Sequence, residues 1–371
     1  MIIGIDAKAI SKTYTGIAVY VHEMINWFCI IAPENEYVLF SNRDFVMPKE
    51  WKSCKKVIYD AKTTGSIAIL YGFKKLVKKY HIDVFWGPEH CIPIGNIGCK
   101  KVVTFHDLAL LYNAKYGTTY NALLQKYMVN KCAKAADQII AISQSTKNDI
   151  KKLCKDYADI NVIYNGDSPY TGKANQVKES EKKQIVTKFN LKDNYFLYCG
   201  TIEPRKNIIT IIRAYNQFRK TTGINTQLIL CGKLGWKYKK ILREIDNSQY
   251  RSDIILTGYV TNLEREFFYR NAIALLFPSY YEGFGFPILE AMSCGIPVIT
   301  ANNSSLPEVG GDVAFYLKSV EDYDDMSMKM EHLYKLTEIE RLNISKKCIE
   351  QAGKFSRKKC SVEILKVFES V

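Results

Sequence analysis

The sequence predicts an α/β protein built from two Rossmann-like domains. Short apolar, β-branched runs alternate with longer helical patterns along the whole chain, which is typical of βαβ units around parallel sheets. A chain of 371 residues is long enough for two domains at about 150 residues each. Hydrophobic residues make up 47% and charged residues 24%, so the composition excludes disordered, collagen-like and low-complexity proteins.

The first half of the chain has the pattern of one such domain. Its strands are predicted at 1–6, 37–41, 57–59, 84–87, 102–105, 138–142 and 162–163. Its helices are predicted near 16–30, 66–80 and 119–136.

The chain becomes polar between Ser168 and Lys188 and loses its strand periodicity there. We therefore place a boundary at this point, with domains at 1–170 and 171–350. The second domain is predicted to contain strands at 195–199, 227–231, 254–257, 273–277, 297–300 and 314–316. The last segment lacks strand signals, and its end, 351–371, is predicted to be a helix that packs on either half.

Composition also bears on compartment and partners. Eleven cysteines are an odd number without any Cys-x-x-Cys pair, so we interpret them as buried thiols of a cytoplasmic protein. No secretory signal pattern opens the sequence, and no apolar run approaches the ~20 residues needed to cross a bilayer. The 52 basic and 38 acidic residues leave a net charge of +14, which predicts attraction to polyanions or to an anionic surface.

Half of the positive excess lies in residues 52–79, where eight lysines accompany Asp60 alone. Within this region, residues 66–79 place lysine pairs among apolar residues at helical spacing. Such a helix can lie on an anionic membrane surface, and a core helix with a solvated lysine face fits the same pattern. The basic residues are not interleaved with aromatic residues, so no nucleic-acid partner is predicted.

The densest group of chemically useful residues is the run from Pro278 to Met292, PSYYEGFGFPILEAM. It follows a predicted strand, and open α/β sheets bind ligands at the carboxyl ends of their strands. Gly283 and Gly285 let the backbone approach a ligand closely. Pro287 suits the first residue of a helix whose free N–H groups would face a diphosphate. The alternative interpretation is a tight turn with a helix-capping Glu.

Two carboxylates and two cations complete this predicted site. Glu282 lies in the loop and Glu290 in the first turn of the predicted helix, so both can accept hydrogen bonds from sugar or ribose hydroxyls. Arg205 and Lys206, in GTIEPRKN at 200–207, follow another strand. A guanidinium forks to two phosphate oxygens and an ammonium adds a compact charge, so the pair suits a leaving diphosphate. A surface charge pair is the alternative for an isolated Arg-Lys step.

The first half contributes two further candidates. His106 ends a predicted strand and can exchange a hydrogen bond with a sugar hydroxyl, although a histidine satisfied by local backbone fits equally well. Gly16 follows the first strand and offers a close backbone approach, although such glycines often serve packing alone. The Asp322-Tyr323-Asp324 step has the spacing of a divalent-metal site, but we interpret it as solvated surface charge and expect no metal or other cofactor.

Together these motifs resemble the retaining nucleotide-sugar glycosyltransferases of glycosyltransferase family 4. Those enzymes have the GT-B fold, in which two Rossmann-like domains face each other across a cleft. The resemblance covers nearly the whole chain, because the Glu282-to-Glu290 spacing around GFGFP is accompanied by the other steps of the family pattern. These steps are Gly16, His106-Asp107, Tyr164-Asn165-Gly166, Arg205-Lys206 and LPEV at 306–309.

The resemblance implies an acceptor-binding first domain, a donor-binding second domain and a C-terminal helix that returns to the first. Glu282 would hold donor-sugar hydroxyls near the anomeric centre, and Glu290 would hold the nucleotide ribose. Arg205 and Lys206 would neutralise the departing diphosphate. Further backbone donors would come from Gly283, Phe284 and Gly285.

For the first domain, the resemblance implies that His106 orients the sugar and that Gly16 makes room for phosphates or acceptor. The catalytic set would be His106, Lys206 and Glu282. The sequence departs from the family pattern at Thr201, where many relatives have Arg. It also departs at Val19, where a cation is missing, and at Arg357, which replaces a Trp.

The expected function is a retaining transferase that moves a hexose or deoxyhexose, with mannose from GDP-mannose preferred, to a growing, lipid-linked surface glycan. It would act at the cytosolic face of a membrane. Two alternatives remain: a soluble sugar-phosphate or storage-glucan transferase, and an inactive polyanion-binding scaffold on the same fold.

Overall fold

The computed structural model describes residues 1–10, 16–59, 73–109, 119–167 and 178–371. The chain divides into two compact units. The first unit comprises Met1–Gly166 together with Phe355–Val371, and the second comprises Asp167–Lys354. The C-terminal segment therefore belongs with the first unit.

The first unit contains a seven-stranded parallel sheet in the order β3-β2-β1-β4-β5-β6-β7. Its inner strands read as nearly continuous apolar runs and are buried, as expected for a parallel sheet covered on both faces. The strands are β1 (Ile2–Asp6), β2 (Glu36–Ser41), β3 (Cys54–Ile58), β4 (Val84–Gly87), β5 (Lys100–Phe105), β6 (Gln138–Ala141) and β7 (Asp159–Val162).

Five helices accompany this sheet in the described residues: α1 (Gly16–Ile31), α2 (Lys74–Lys79), α3 (Thr119–Ala135), α4 (Gln144–Leu153) and, from the C-terminus, α13 (Arg357–Glu369). Helix α13 packs on α1 and on β4. The centre of the Phe368 ring lies 5.8 Å from that of Phe28 in α1 and 5.7 Å from that of Trp86 in β4. The Arg357 guanidinium adds an ion pair to Glu23, with 2.8 Å between Nη1 and Oε2. Aromatic packing and a charge pair therefore hold the C-terminal helix in the first unit.

The second unit contains a six-stranded parallel sheet in the order β10-β9-β8-β11-β12-β13. Its strands are β8 (Tyr195–Cys199), β9 (Gln227–Cys231), β10 (Ile254–Gly258), β11 (Leu275–Phe277), β12 (Val298–Thr300) and β13 (Phe315–Tyr316). Its helices are α5 (Glu179–Phe189), α6 (Ile208–Thr222), α7 (Lys239–Asp246), α8 (Asn262–Asn271), α9 (Phe286–Ser293), α10 (Leu306–Gly310), α11 (Tyr323–Lys335) and α12 (Glu338–Ala352). The predicted α/β class with two parallel sheets is confirmed.

Helix α4 is absent from the sequence-based prediction because its segment, QSTKNDIKKL, is mostly polar and contains only two large apolar residues, too few to mark a buried helix face in the sequence. Its start is fixed by a cap. The Ser143 hydroxyl accepts a hydrogen bond from the Thr146 N–H at 3.1 Å, and Ile150 is fully buried beneath the helix.

The predicted basic helix at 66–80 is described only from Phe73 onward, and residues 66–72 lie outside the described part of the chain. Within α2, Val77 is buried, whereas Lys74, Lys75, Lys78 and Lys79 are exposed. In the described ranges, no helix combines the length and apolarity that a membrane crossing requires.

Candidate active site

The site in the second unit forms where the strand order of its sheet changes direction. Strands β8 and β11 are neighbours, with Leu197 opposite Leu275, although the connections from them lead to opposite ends of the sheet. Loops that leave the carboxyl ends of two such strands bound the crevice in which open α/β sheets bind ligands. The loop after β8 carries Arg205 and Lys206, and the loop after β11 carries Glu282.

These three residues form one ion-pair cluster. Lys206 Nζ lies 2.6 Å from Glu282 Oε1, and Arg205 Nη1 lies 3.1 Å from Glu282 Oε2. Each carboxylate oxygen of Glu282 therefore receives a different cation. Because the Glu282 side chain is only 10% exposed, these charge-assisted hydrogen bonds are protected from bulk water.

Arg205 is also bound to its own loop. Its Nε donates to Glu203 Oε1 at 3.2 Å, and its Nη1 donates to the carbonyl oxygen of Tyr281 at 2.8 Å. The guanidinium thus connects the β8 loop to the β11 loop and orients Glu282. Glu203 was not predicted from the sequence, although its position two residues before Arg205 was the available signal.

Burial and the neighbouring charges shift the pKa values of this cluster in opposite directions. Burial lowers the pKa of Lys206, and the adjacent Glu282 carboxylate counteracts that shift. For Glu282, burial raises the pKa, but Lys206 and Arg205 outweigh it, so the net pKa lies below that of an ordinary Glu. Glu282 is therefore an ionised acceptor at neutral pH. The Lys206 ammonium also lies 5.2 Å from the centre of the Phe277 ring, a cation–π distance.

The glycine-rich loop leads into α9 through a left-handed residue. Gly285 has φ 111° and occupies the N-cap position of α9. The loop is fixed by Ser305, whose hydroxyl donates to the carbonyl oxygens of Glu282 at 3.0 Å and Phe284 at 2.8 Å. Helix α9 begins at Phe286, so Pro287 is its second residue rather than its first as predicted.

Glu290 consequently lies in the second turn of α9 and not in the first. Its Oε2 accepts a hydrogen bond from the Tyr269 hydroxyl at 2.9 Å, and Arg265 Nη2 lies 3.7 Å from its Oε1. Both partners come from α8 and were not identified from the sequence. They hold the Glu290 carboxylate in place while 8% of the residue remains exposed.

His106 and Gly16 belong to the first unit. His106 Nε2 lies 2.7 Å from the carbonyl oxygen of Pro88, which only accepts hydrogen bonds, so Nε2 carries the proton. Burial, with a smaller contribution from His90, lowers the pKa of His106 to about 4. The imidazole is therefore neutral at pH 7 and satisfied by local backbone on one nitrogen.

Gly16 is the first residue of α1. A Cβ placed on it would meet no described atom within 4 Å, so packing of the described residues does not require glycine there. The open space is consistent with the predicted close approach of a ligand, which stays a prediction.

The Asp-x-Asp step has a structural role. Asp322 Oδ1 accepts a hydrogen bond from the Asp325 N–H at 2.9 Å and caps α11. Across the described ranges, no group of three or more His, Cys, Asp or Glu side chains is arranged to hold a metal ion.

Two protein-family models match the chain. Residues 179–355 match the family described as "Glycosyl transferases group 1", and residues 50–167 match "Glycosyltransferase Family 4". The first match contains the ion-pair cluster and Glu290, and the second contains His106.

Characterised proteins with similar sequences include bacterial mannosyltransferases. The chain is 28% identical over 298 residues to the O-antigen chain mannosyltransferase B of Escherichia coli, covering 79% of this chain and 76% of that protein. It is 33% identical over 240 residues to the serotype-specific mannosyltransferase WbdA of Escherichia coli, covering 62% of this chain but only 29% of WbdA.

Among solved structures, Anabaena Alr3699/HepE in complex with UDP and glucose matches with a TM-score of 0.72 at 18% identity. The match covers 100% of this chain and 99% of that one. At this identity the likeness shows a shared fold.

Proposed function

This chain belongs to glycosyltransferase family 4 with a GT-B fold, and we propose that it transfers a hexose or deoxyhexose from a nucleoside-diphosphate sugar to a growing surface glycan. The preferred sugar is mannose, delivered from GDP-mannose with retention of its anomeric configuration. The acceptor is lipid-linked.

The ion-pair cluster of Arg205, Lys206 and Glu282 carries the proposal. A leaving nucleoside diphosphate develops negative charge on its bridging oxygen, and a preformed, partly buried ammonium stabilises that charge without reorganising. Lys206 is such a group, because Glu282 and the Phe277 ring already fix its position.

Glu282 is suited to the sugar itself. It is an ionised carboxylate at the start of the glycine-rich loop, so it can accept hydrogen bonds from donor-sugar hydroxyls close to the diphosphate. Backbone N–H groups of Gly283, Phe284 and Gly285, at the N-terminal end of α9, are proposed to add donors to the phosphate oxygens. His106, from the first unit, is proposed to orient the sugar as a neutral imidazole.

The choice of donor and acceptor rests on the named relatives. Two of them are mannosyltransferases, one of an O-antigen chain and one serotype-specific, which supports mannose and a polymeric surface glycan. HepE is a fold relative whose structure contains UDP and glucose, which supports a nucleotide-sugar donor. The exposed lysines of α2 support a peripheral interaction with anionic lipid around a lipid-linked acceptor.

We propose that the transfer needs no metal ion. Lys206 and the N-terminal end of α9 both supply positive potential for the departing diphosphate. We expect the same transfer rate in the presence of a chelator as in the presence of added Mn²⁺. Loss of transfer in chelator with rescue by Mn²⁺ would overturn the metal-free mechanism.

The decisive experiment is a donor panel. Binding of UDP, GDP, TDP and ADP, each with its common sugars, is measured by calorimetry, followed by transfer to a lipid-linked mannosyl acceptor with the product anomer read by NMR. GDP-selective binding and an α-linked mannose product are expected. Equal transfer to water-soluble sugar phosphates or glucans, without sedimentation on anionic liposomes, would favour the soluble-transferase alternative. Binding of no nucleotide would favour the inactive scaffold.

A further inference from the structure

A close pair of cysteine thiols lies in the first unit, outside the proposed transfer site. Cys29 Sγ and Cys54 Sγ are 3.4 Å apart. Cys29 lies near the C-terminal end of α1, about 20 Å along that helix from Gly16 at 1.5 Å per residue. Cys54 is the first residue of β3, the edge strand of the sheet.

Regular secondary structure holds the two thiols in this position. Tyr37 of β2 is paired in register with Cys54, and its hydroxyl donates to the carbonyl oxygens of Phe28 at 3.2 Å and Ala32 at 2.9 Å. Tyr37 therefore connects the last turns of α1 to the start of β3. A disulfide requires the sulfur atoms to approach to about 2.05 Å, about 1.4 Å closer than the 3.4 Å at which they lie here.

The environment also divides the two thiols chemically. A hydrogen bond from the Cys54 thiol lowers the pKa of Cys29, with further help from the Ser53 side chain and against the effect of burial. The same hydrogen bond raises the pKa of Cys54. Cys29 is thus the better nucleophile and Cys54 is the protonated neighbour. Both residues are half-buried rather than fully buried, so we expect small molecules to reach them.

We propose that Cys29 and Cys54 are a redox modification site, at which a hydroperoxide converts the two thiols into a disulfide that ties α1 to the edge strand β3. This assignment is independent of the proposed transferase function.

The reaction has two steps. The Cys29 thiolate attacks the terminal oxygen of the hydroperoxide, the O–O bond breaks, and the leaving alkoxide or hydroxide takes a proton, which leaves Cys29 as a sulfenic acid. The Cys54 sulfur then attacks the Cys29 sulfur as its proton moves to the departing hydroxyl, which leaves as water. Two thiols lose one electron each, and the hydroperoxide gains both.

Other thiols in the chain provide internal controls. Cys199 and Cys231 face each other across β8 and β9, and Cys91 and Cys132 also interact, but all four are buried. If proximity alone decided oxidation, these pairs would react as readily. If accessibility to the peroxide is also required, Cys29 and Cys54 react first.

The test uses the full-length reduced chain and graded hydrogen peroxide, followed by denaturing alkylation, trypsin digestion and mass spectrometry without reductant. The expected product is peptide 13–43 joined to peptide 53–55, with a mass two hydrogens below the sum of the two peptides. It should form at peroxide doses at which the four buried thiols stay reduced and are therefore alkylated after denaturation. Dithiothreitol should restore both free peptides.

Variants separate the roles of the two thiols. In Cys54→Ser, we expect no crosslink, and dimedone should trap a sulfenic acid on Cys29. Alkylation of Cys29 should be slower than in wild type, because the thiol that donates a hydrogen bond to it has been replaced. In Cys29→Ser, Cys54 should resist peroxide. Cys99→Ser, which replaces another half-buried thiol, should leave the crosslink unchanged.

Two results would overturn the proposal. One is the absence of the 29–54 crosslink from peroxide-treated wild-type chain, a result that needs no variant to fold. The other is crosslinking of the buried pairs at the same dose, which would show that accessibility does not select this site.

Discussion

Lys206 and Glu282 are separated by 76 positions in the chain, yet their Nζ and Oε1 atoms lie 2.6 Å apart. Neighbouring strands β8 and β11 bring the two loops together, and Arg205 joins the same carboxylate from the other side. The positive charge proposed to receive a leaving diphosphate is therefore fixed before any ligand arrives.

Replacing Lys206 with Ala should lower the turnover number by 10²–10³-fold, about 2.7–4 kcal/mol, by analogy with the loss of one oxyanion donor. The donor binding constant should change less, because the charge develops in the transition state. Steady-state kinetics with GDP-mannose measures both, and Lys240→Ala removes an exposed lysine of the same unit as a control. Turnover within twofold of wild type would contradict the role of Lys206.

Glu203→Gln tests the positioning role of Arg205. The substitution weakens the contact at 3.0 Å between Arg205 Nη2 and Glu203 Oε1 without removing either cation from Glu282. We expect about a fivefold fall in turnover, or about 1 kcal/mol, because Glu282 is held less firmly.

Glu244→Gln is the matched control for Glu203→Gln, since its ion pair with Arg213 is on the surface and should contribute little. If Arg205 contacts the diphosphate directly, releasing it from Glu203 should instead tighten donor binding.

Prediction from the sequence succeeded where a motif follows a strand. The alternation of apolar runs places GTIEPRKN and EGFGFP at strand ends, and parallel strands put those ends on one edge of a sheet. The pairing of Lys206 with Glu282 was not predictable in this way, because no local pattern reports which loops become neighbours or which charges meet. Tyr269 and Arg265 were missed for the same reason, since they reach Glu290 from another helix.

Glu290→Ala should weaken nucleotide binding, because Glu290 is proposed to accept hydrogen bonds from the ribose. Tyr269→Phe should have a smaller effect, about fivefold, because it removes one hydrogen bond of about 1 kcal/mol that orients the carboxylate. Calorimetry with the nucleoside diphosphate measures both variants. Inorganic pyrophosphate lacks a ribose, so both variants should bind it with the affinity of wild type. An equal loss of affinity for pyrophosphate and for the nucleoside diphosphate would argue against the ribose assignment.

His106 should make the first unit sensitive to acid. Burial lowers its pKa in the folded chain to about 4, against about 6.5 in an unfolded chain. Between these values the unfolded chain binds a proton that the folded chain does not, so the free energy of unfolding falls as pH decreases through this window. Below pH 4 the free energy of unfolding has fallen by about 3 kcal/mol through His106.

Urea unfolding of the first unit between pH 7.5 and 4.5 measures this effect. His106→Asn should reduce the pH dependence and leave the part that comes from His90, whose pKa burial also lowers. His81→Asn, at an exposed residue with positive φ that Asn tolerates, should retain the full dependence. Identical slopes in wild type and His106→Asn would rule out His106 as the source.

Gly16→Ala separates a packing glycine from a ligand-binding one. The added Cβ meets no described atom within 4 Å, and Ala favours a helix more than Gly, so the stability of the first unit should be unchanged or slightly raised. Transfer should nevertheless fall if phosphate or acceptor approaches the backbone there.

Gly166→Ala is the opposite case, because its Cβ would lie 2.0 Å from the Arg357 backbone nitrogen and should destabilise the unit. Thermal unfolding and transfer assays on both variants distinguish the two uses of glycine, and a fully active Gly16→Ala would show that no ligand needs that space.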